Sequence, residues 1–390
     1  MIESPAAVMA VLVGIAAFFF WLEKATGWKI FRYLVPLIWI YATPVVLRNT
    51  GVLPASSDAY DLLRHFGLPV VIVLLLLSVD VAAAVRVMGK GVLVMLLGTA
   101  GIVLGAPVAY FVVHRWLADD AWSGFGALAG SWIGGTGNLA AAAAALGTPE
   151  EQFGLAVLAD TVIYVGWLPL LLISKNFAKR FNRWTGVSEE RIAKMEEAAA
   201  AEVEEKVPPT FKDYLNLGVI ALTATWFAGW LAPRLPEIVL GGEKVISTST
   251  WIVLLVTTLG IGFSFTPAKK IPGSHELAMA ILYVFVARMG ATASLAGFAQ
   301  APAFLLGAAI WICVHGLFCL AGAWLFKVDV HSAAIASAAN VGGAASAPVV
   351  AAYHRETLVP AAILMALIGY ALGNYLAILT GHLCRLVGGG

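Results

Sequence analysis

The stretch GSWIGGTGNLAAAAAALGTP, residues 130–149, decides how this chain folds. It is apolar enough to lie in a membrane, yet it carries glycines together with Ser131, Thr136 and Asn138 where a spanning helix favours leucine. Lipid offers no hydrogen bonds, so irregular backbone at membrane depth has to face protein or a water-filled cavity. The stretch therefore predicts either a break in a membrane helix or a close helix crossing through small residues.

The composition supports an all-α polytopic membrane protein. The chain has 390 residues, of which 61% are hydrophobic and 12% charged, and its mean hydropathy is +0.88. Such a chain is too apolar for a soluble fold. The net charge of +1 gives no reason to expect a nucleic-acid partner. The N-terminus lacks a basic start and a cleavage site, which predicts a retained first span in a bacterial-type inner membrane.

Uncharged runs of about 20 residues, the length of a helix that crosses a bilayer, set the number of spans. We count twelve candidates and expect a total of 11 to 13. They lie at about 4–22, 31–48, 63–84, 91–113, 121–147, 152–174, 214–233, 247–266, 274–297, 301–326, 331–352 and 357–381.

A charged segment at residues 175–213 separates two halves of the chain. It holds eight Lys/Arg and eight Asp/Glu residues, and its part from Ser188 to Pro208 predicts a surface linker helix. The positive-inside rule places its basic start in the cytoplasm. We therefore expect a first repeat at 1–174 with six helices, a cytoplasmic linker at 175–213, and a second repeat at 214–390.

The two halves resemble each other around their glycine pairs. LAGSWIGGTGNLAAAAAALG, within the broken helix predicted at about 121–147, matches ASAANVGGAASAPVVAAY, within the one predicted at about 331–352. The match aligns Gly134 and Gly135 with Gly342 and Gly343. Glycine-interrupted spans at corresponding positions of two repeats indicate the binding site of a secondary transporter.

Four stretches, SWIGGTGNLAAAAAALG, AVLADTVIYVGW, LLLLSVD and NVGGAASAPVVAA, resemble the YjcL-like family of membrane proteins over nearly the whole chain. That domain-of-unknown-function family is assigned to the cation:proton antiporter and anion transporter superfamily. The resemblance implies a sodium/proton-antiporter-like fold with panel and core domains, two crossed discontinuous helices and a homodimer. It also implies inverted repeats, whereas the six steps between the fifth and eleventh predicted spans would make the repeats parallel.

Asp160 is the acidic residue that the sequence singles out, because it lies in the middle of the span after the first break. A carboxyl group at this depth is rare unless it faces a cavity, forms a pair or relays ions. It either braces the unwound backbone or binds a cation or proton together with Thr136, Asn138 and Thr161. Oxygen ligands of this kind suit Na⁺, so Asp160 is the candidate metal ligand, while a desolvated carboxyl group suits H⁺.

The other candidates flank the breaks or carry charge within spans. Those for substrate or ion binding are Ser131, Ser337, Asn340, Ser346 and Asn374. Asp80 and Arg288 occupy equivalent places in the two halves, which predicts an ion pair between them. Alternatively, Arg288 contacts an anionic substrate, since its guanidinium group binds a carboxylate in a bidentate manner. His315 is either a packing histidine or a proton relay.

The sequence carries no HExxH, GxSxG or Walker A motif and no cysteine or histidine cluster with metal spacing, so we expect neither an enzyme nor a cofactor beyond a coupling ion. We predict a secondary active transporter, coupled to Na⁺ or H⁺, that moves a small anionic organic solute by alternating access. The alternatives are a cation/proton antiporter without an organic substrate and a non-transporting membrane scaffold.

Overall fold

The computed structural model describes residues 2, 4–28, 30–33, 36–77, 79, 88–188, 207–240, 243–293 and 299–389. Within these residues the protein is helical apart from two short antiparallel strands, β1 (Ile238–Leu240) and β2 (Glu243–Ile246). The helices are α1 (Pro5–Thr26), α2 (Ile30–Tyr33), α3 (Pro36–Asn49), α4 (Asp58–Leu62), α5 (Leu68–Leu77), α6 (Lys90–Val113), α7 (Ala121–Leu146), α8 (Glu150–Ser174), α9 (Ala178–Thr185), α10 (Phe211–Leu231), α11 (Thr248–Ser264), α12 (Ser274–Thr292), α13 (Ala301–Phe326), α14 (Val330–Val341), α15 (Gly343–His354) and α16 (Val359–Gly388). A π-helical turn at Leu63–Gly67 joins α4 to α5.

Seven helical segments of the described chain are long and apolar enough to cross a membrane. They are Pro5–Thr26, Asp58–Leu77, Lys90–Trp116, Glu150–Thr185, Phe211–Arg234, Ala301–Phe326 and Val359–Gly388. Each of the seven overlaps one of the twelve predicted spans, and each is at least as long as the roughly 20 residues that cover the hydrocarbon core. The polytopic helical prediction is confirmed at this level. Most of the predicted surface helix from Ser188 to Pro208 lies outside the described residues.

Helix α7 does not continue through the bundle but folds back on itself. Gly135 has φ 77° and ψ −174°, outside the helical region. A Cβ atom placed on Gly130 would lie 2.4 Å from the carbonyl oxygen of Asn138, a residue eight positions further on. At the other end, the Thr148 hydroxyl donates to the Ser123 carbonyl at 3.2 Å. Residues 121–146 therefore form a helical hairpin, the first hairpin, with its tip at Gly135.

Helices α14 and α15 form a second hairpin, residues 330–354. Its turn lies at Gly342–Gly343, and Gly343 has a φ of 57° that favours glycine. The Nδ1 atoms of His331 and His354, near the two open ends, are 3.0 Å apart. Each 12-residue arm extends roughly 18 Å, which is slightly more than half of a hydrocarbon core about 30 Å thick. The tip therefore lies near the middle of the bundle.

The two hairpins enter the bundle from opposite ends, as their contacts with α8 show. Near the start of α8, Gln152 Nε2 donates to Asp120 Oδ1 at the base of the first hairpin, at 2.9 Å. Near its end, the Leu171 carbonyl accepts from His354 Nε2 at the base of the second hairpin, at 2.9 Å. Gln152 and Leu171 are separated by roughly 29 Å of helix. The hairpin bases therefore lie about one hydrocarbon thickness apart.

This arrangement corrects the expected pair of crossed discontinuous helices. Both helices are interrupted, but each turns back to the end from which it came, because its arms pack against one another. A hairpin adds no crossing, so the predicted spans at 121–147 and 331–352 do not traverse the bundle. Five predicted spans lie between the two hairpins. Because this number is odd, the hairpins open at opposite ends without an additional span. The six steps counted between the fifth and eleventh predicted spans therefore no longer conflict with inverted repeats.

The last helix, α16, packs along the first hairpin through glycines. A Cβ on Gly369 would lie 2.1 Å from the Ile133 carbonyl oxygen, and one on Gly381 would lie 3.3 Å from the Cα of Gly126. Such close backbone approach through small residues is typical of helix packing in membranes, where van der Waals contact replaces the hydrophobic effect. α16 therefore holds the first hairpin along its length.

Because the hairpins enter from opposite ends, we expect cysteines near their two bases to be labelled from opposite faces of the membrane. We expect Asp119→Cys, next to the first hairpin, and Lys179→Cys, next to the second, to react with a membrane-impermeant maleimide from different faces of oriented vesicles. Both side chains are exposed. The exposed Cys313 is replaced by alanine first to remove background labelling. Labelling of both variants from the same face would contradict the arrangement.

Candidate functional site

The tips of the two hairpins touch near the middle of the bundle. A Cβ on Gly343 would lie 3.4 Å from the Cα of Gly135, and one on Gly135 would lie 4.0 Å from the Cα of Gly343. Both glycines have positive φ. Because helical hydrogen bonding stops at each turn, the tips carry backbone N–H and C=O groups without intrahelical partners. We call this contact, with the side chains around it, the tip site.

Asp160 lies at the same depth as the tips. It stands roughly 12 Å along α8 from Gln152 and roughly 17 Å from Leu171. Its Oδ1 accepts a hydrogen bond from Trp132 Nε1 at 3.1 Å, and the Ser131 hydroxyl faces the same carboxyl group. The side chain nevertheless keeps partial exposure. The first hairpin therefore fixes the orientation of this carboxyl group at the depth of the tips.

Tyr164 lies one turn after Asp160 on the same face of α8. Its ring packs against the second tip, where a Cβ on Gly342 would lie 3.0 Å from Tyr164 Cε2. Its hydroxyl is buried beside Ser346 but makes no hydrogen bond of ordinary geometry with the described residues. Ser346 is itself partly exposed. Two hydroxyl groups thus face the tip site from α8 and from the second hairpin.

Tyr370 of α16 lies against both tips. Its Cε1 atom is 3.2 Å from a Cβ placed on Gly135 and 3.7 Å from one placed on Gly343. Its hydroxyl faces the backbone of Ala344. The carbonyl of Tyr370 accepts from Asn138 Nδ2 at 3.0 Å. The amide of Asn138 therefore holds the first hairpin on α16, while the tyrosine ring closes the tip site from that side.

Several predicted site residues make their hydrogen bonds outside the tip site. Thr161 Oγ1 donates to the Val157 carbonyl of its own helix at 3.0 Å. The side-chain oxygen of Asn340 accepts from Thr99 Oγ1 at 2.7 Å, and its side-chain nitrogen donates to the carbonyls of Ala336 and Met95. Asn374 Nδ2 donates to Thr257 Oγ1 on α11 at 2.8 Å. Its Oδ1 is buried without a partner among the described residues.

Ser337 belongs to a hydrogen-bonded chain rather than to the tips. Trp167 Nε1 donates to Ser337 Oγ at 3.0 Å, and Ser337 Oγ lies 2.9 Å from His315 Nε2. His315 Nδ1 lies 3.0 Å from the Gly98 carbonyl oxygen, which can only accept. A neutral histidine protonated at Nδ1 satisfies every group in the chain. This arrangement fits the packing interpretation of His315.

Arg288 lies one turn before the end of α12, level with the first hairpin's base rather than at mid-depth. Its guanidinium group contacts Glu150 Oε1 at 3.3 Å, and the Thr292 hydroxyl donates to the same oxygen at 3.0 Å. Its Nε is buried without a hydrogen bond to the described residues. Asp80 lies outside the described residues, so its pairing with Arg288 remains a prediction.

The tip site therefore unites Ser131, Asn138, Asp160, Ser346 and the four break glycines Gly134, Gly135, Gly342 and Gly343. Thr136 follows the first tip and is partly exposed. Sequence analysis missed Trp132, Tyr164 and Tyr370. The spacing of four residues between Asp160 and Tyr164 was a usable signal, because such residues share one helix face. Nothing in the sequence indicated Tyr370.

Comparison with known proteins gives two matches. The family model described as "Protein of unknown function (DUF819)" matches residues 10–387. The "Uncharacterized membrane protein YjcL" of Bacillus subtilis (strain 168) is 28% identical over 388 residues, which cover 96% of this chain and 93% of that protein. The chain is a multi-pass membrane protein, as both the name of this relative and the seven long apolar helices of the described chain indicate.

Proposed function

The chain belongs to the DUF819 family of proteins of unknown function, and we propose that it is a secondary active transporter whose binding site is the tip site. The observation that carries this proposal is the contact of Gly135 with Gly343 at the depth of Asp160, an acidic residue that is partly exposed. The coupling ion is Na⁺ or H⁺, and the solute is a small organic anion.

The hairpins supply a mechanism for alternating access. Irregular backbone at this depth is tolerated where it lines a cavity, and both tips are irregular at the same point. Each hairpin separates the tip site from one end of the bundle, because its base lies at that end. Movement of one hairpin away from the contact opens the site to one face while the other hairpin keeps it closed to the opposite face.

The chemistry of the site suits an ion and an anion together. Asp160 supplies the negative charge that binds Na⁺ or accepts H⁺, with Ser131 and Trp132 fixing its orientation. The second arm of each hairpin begins at the tip, so its first N–H groups and its positive dipole end point toward the contact. The hydroxyl groups of Tyr164 and Ser346 add donors. Together, these donors and the cation bound at Asp160 are best suited to a solute that carries a carboxylate group.

The opposite entry of the hairpins supports a relation by inverted repeats between residues 1–174 and 214–390. A panel domain that forms a homodimer and an inner-membrane location belong to the same proposal, through the resemblance to transporters of the superfamily. The nearest alternative is cation/proton antiport, in which Asp160 exchanges ions without an organic solute. A membrane scaffold would not need a carboxyl group at this depth.

Site accessibility tests the mechanism without knowledge of the solute. We expect Thr136→Cys and Ser346→Cys, in a Cys313→Ala background, to react with an impermeant maleimide from both faces of the membrane. The ratio of the two rates should change when Na⁺ is replaced by choline or when the pH is lowered, because the ion favours one of two states.

The variants Asp119→Cys and Lys179→Cys serve as controls, since each should react from one face under every condition. Reaction of both tip variants from one face only, with no response to Na⁺ or pH, would exclude alternating access at this site.

A further inference from the structure

A cavity of about 290 Å³ lies beside the second hairpin, away from the tip site. Its floor is α14, the first arm of the second hairpin, and its walls are α8 and α13. The lining side chains include Leu170, Phe181, Leu320, Ala333, Ala334 and Ser337. Nearly all of them are apolar, and the Ser337 hydroxyl is already bonded to Trp167 and His315. The cavity therefore suits an apolar chain.

The cavity borders the side of the bundle that faces lipid. Leu170 on α8 is 59% exposed, and Leu320 on α13 is 45% exposed. Large apolar side chains with this exposure on membrane helices contact acyl chains. The occupant can therefore enter laterally from the bilayer, without passing through water.

Helix α9 lies at the mouth of the cavity and has two unlike faces. Phe181 lines the cavity, and Asn182 Oδ1 accepts from the backbone N–H of Val330 at 3.0 Å. Lys179, Arg180 and Arg183 lie on the other face and are exposed. None of the three has a carboxylate partner within the described part of the chain. A short basic amphipathic helix of this kind is typical of the membrane interface, where it attracts anionic lipids.

We propose that an anionic phospholipid binds here, with one acyl chain in the cavity and its phosphate on Arg180 and Arg183. The two observations are independent, since one concerns the shape and polarity of the cavity and the other concerns the basic, exposed face of the helix at its mouth. The chain would lie between α14 and helices α8 and α13, and would hold the first arm of the second hairpin in position. Lipid binding at this site does not depend on the proposed transport activity.

The test measures lipid binding to the full-length protein in a neutral detergent by native mass spectrometry and thermal unfolding. The probes are phosphatidylglycerol, phosphatidylcholine with the same acyl chains, and inorganic phosphate. We expect phosphatidylglycerol to bind and to raise the unfolding temperature, while the other two probes do not. Replacing both Arg180 and Arg183 with glutamine should weaken phosphatidylglycerol binding about thirtyfold, from the usual attraction of two interfacial cations to an anionic headgroup.

Two further variants test the acyl-chain position. Ala334→Leu fills the cavity from its floor, and Leu320→Trp blocks its lateral opening from an exposed position that leaves the core intact. Both should reduce phosphatidylglycerol binding, whereas the matched control Arg115→Gln, an exposed arginine near the first hairpin, should not.

Three outcomes would overturn the proposal. Equal affinity for phosphatidylcholine and phosphatidylglycerol would mean that the basic face does not select the headgroup. An equal response to inorganic phosphate would indicate a free-anion site. Unchanged binding in the arginine double variant or in Leu320→Trp would place the lipid elsewhere.

Discussion

Replacing Asp160 with asparagine should abolish the response of this protein to Na⁺ and to pH. Asparagine keeps the size of the side chain and an oxygen that accepts from Trp132, so the bond seen at 3.1 Å can persist. It removes the charge that would bind a cation or proton. A ligand present at 100 times its dissociation constant stabilises the folded state by about 2.7 kcal/mol. We expect wild-type protein to show stabilisation of this order on titration with the coupling ion, and Asp160→Asn to show none.

Thermal unfolding in detergent across Na⁺ concentrations and pH values measures this effect, and the labelling ratio of the tip cysteines provides a second readout. Asp119→Asn is the matched control, because it makes the same chemical change at an exposed position. An Asp160→Asn protein that still responds to the ion as wild type does would remove the carboxyl group from the coupling mechanism.

Gly369→Ala should cause the largest loss of stability among single-methyl additions along α16. The added Cβ would lie 2.1 Å from the Ile133 carbonyl oxygen and 3.3 Å from Met95 Cε. A backbone oxygen cannot rotate away as a side chain can, so α16 and the first hairpin would have to separate. Overpacking of a well-packed core costs about 1–3 kcal/mol and sometimes more. We expect a loss at the upper end of this range, measured as a lower unfolding midpoint in detergent.

Gly166→Ala is the matched control, because a Cβ at that helical glycine meets nothing within 4 Å. Because alanine restricts the unfolded chain more than glycine does, the Gly166→Ala protein should be as stable as the wild type or more stable by about 0.4–1 kcal/mol. If Gly369→Ala and Gly166→Ala unfold at the same midpoint, α16 does not pack against the first hairpin as closely as the structure shows.

The importance of the Gly134–Gly135 and Gly342–Gly343 regions was predictable, because glycine pairs among polar residues conflict with a helix in lipid. The fold-back of each region was not. The first hairpin has 26 residues, roughly 39 Å if straight, which is long enough to cross a bilayer. An interrupted helix and a hairpin therefore have the same sequence signature. Contacts such as Thr148 with Ser123 decide between them.

The candidate site shows the same limit. Asp160 stands out in the sequence because a charge at membrane depth is costly. Asn340, Asn374 and Ser337 share the polar character of site residues, yet their partners lie on α6, α11 and α13, respectively. Those partners satisfy the polar groups of Asn340 and Ser337. In Asn374 only the amide nitrogen is bound. Hydrogen bonds between helices far apart in the chain depend on tertiary packing, which local pattern does not encode.

The sequence by itself determined that this is a helical membrane protein with two interrupted segments and a carboxyl group, that of Asp160, at mid-depth, because hydrophobicity, chain length and the cost of burying charge act locally. The tertiary structure alone decided that each interruption is the tip of a hairpin, that the tips meet, and that Tyr164 and Tyr370 border them. Gly135 and Gly343 pack backbone against backbone although they are about 208 residues apart in the chain. Such a contact depends on both segments, so neither segment predicts it alone.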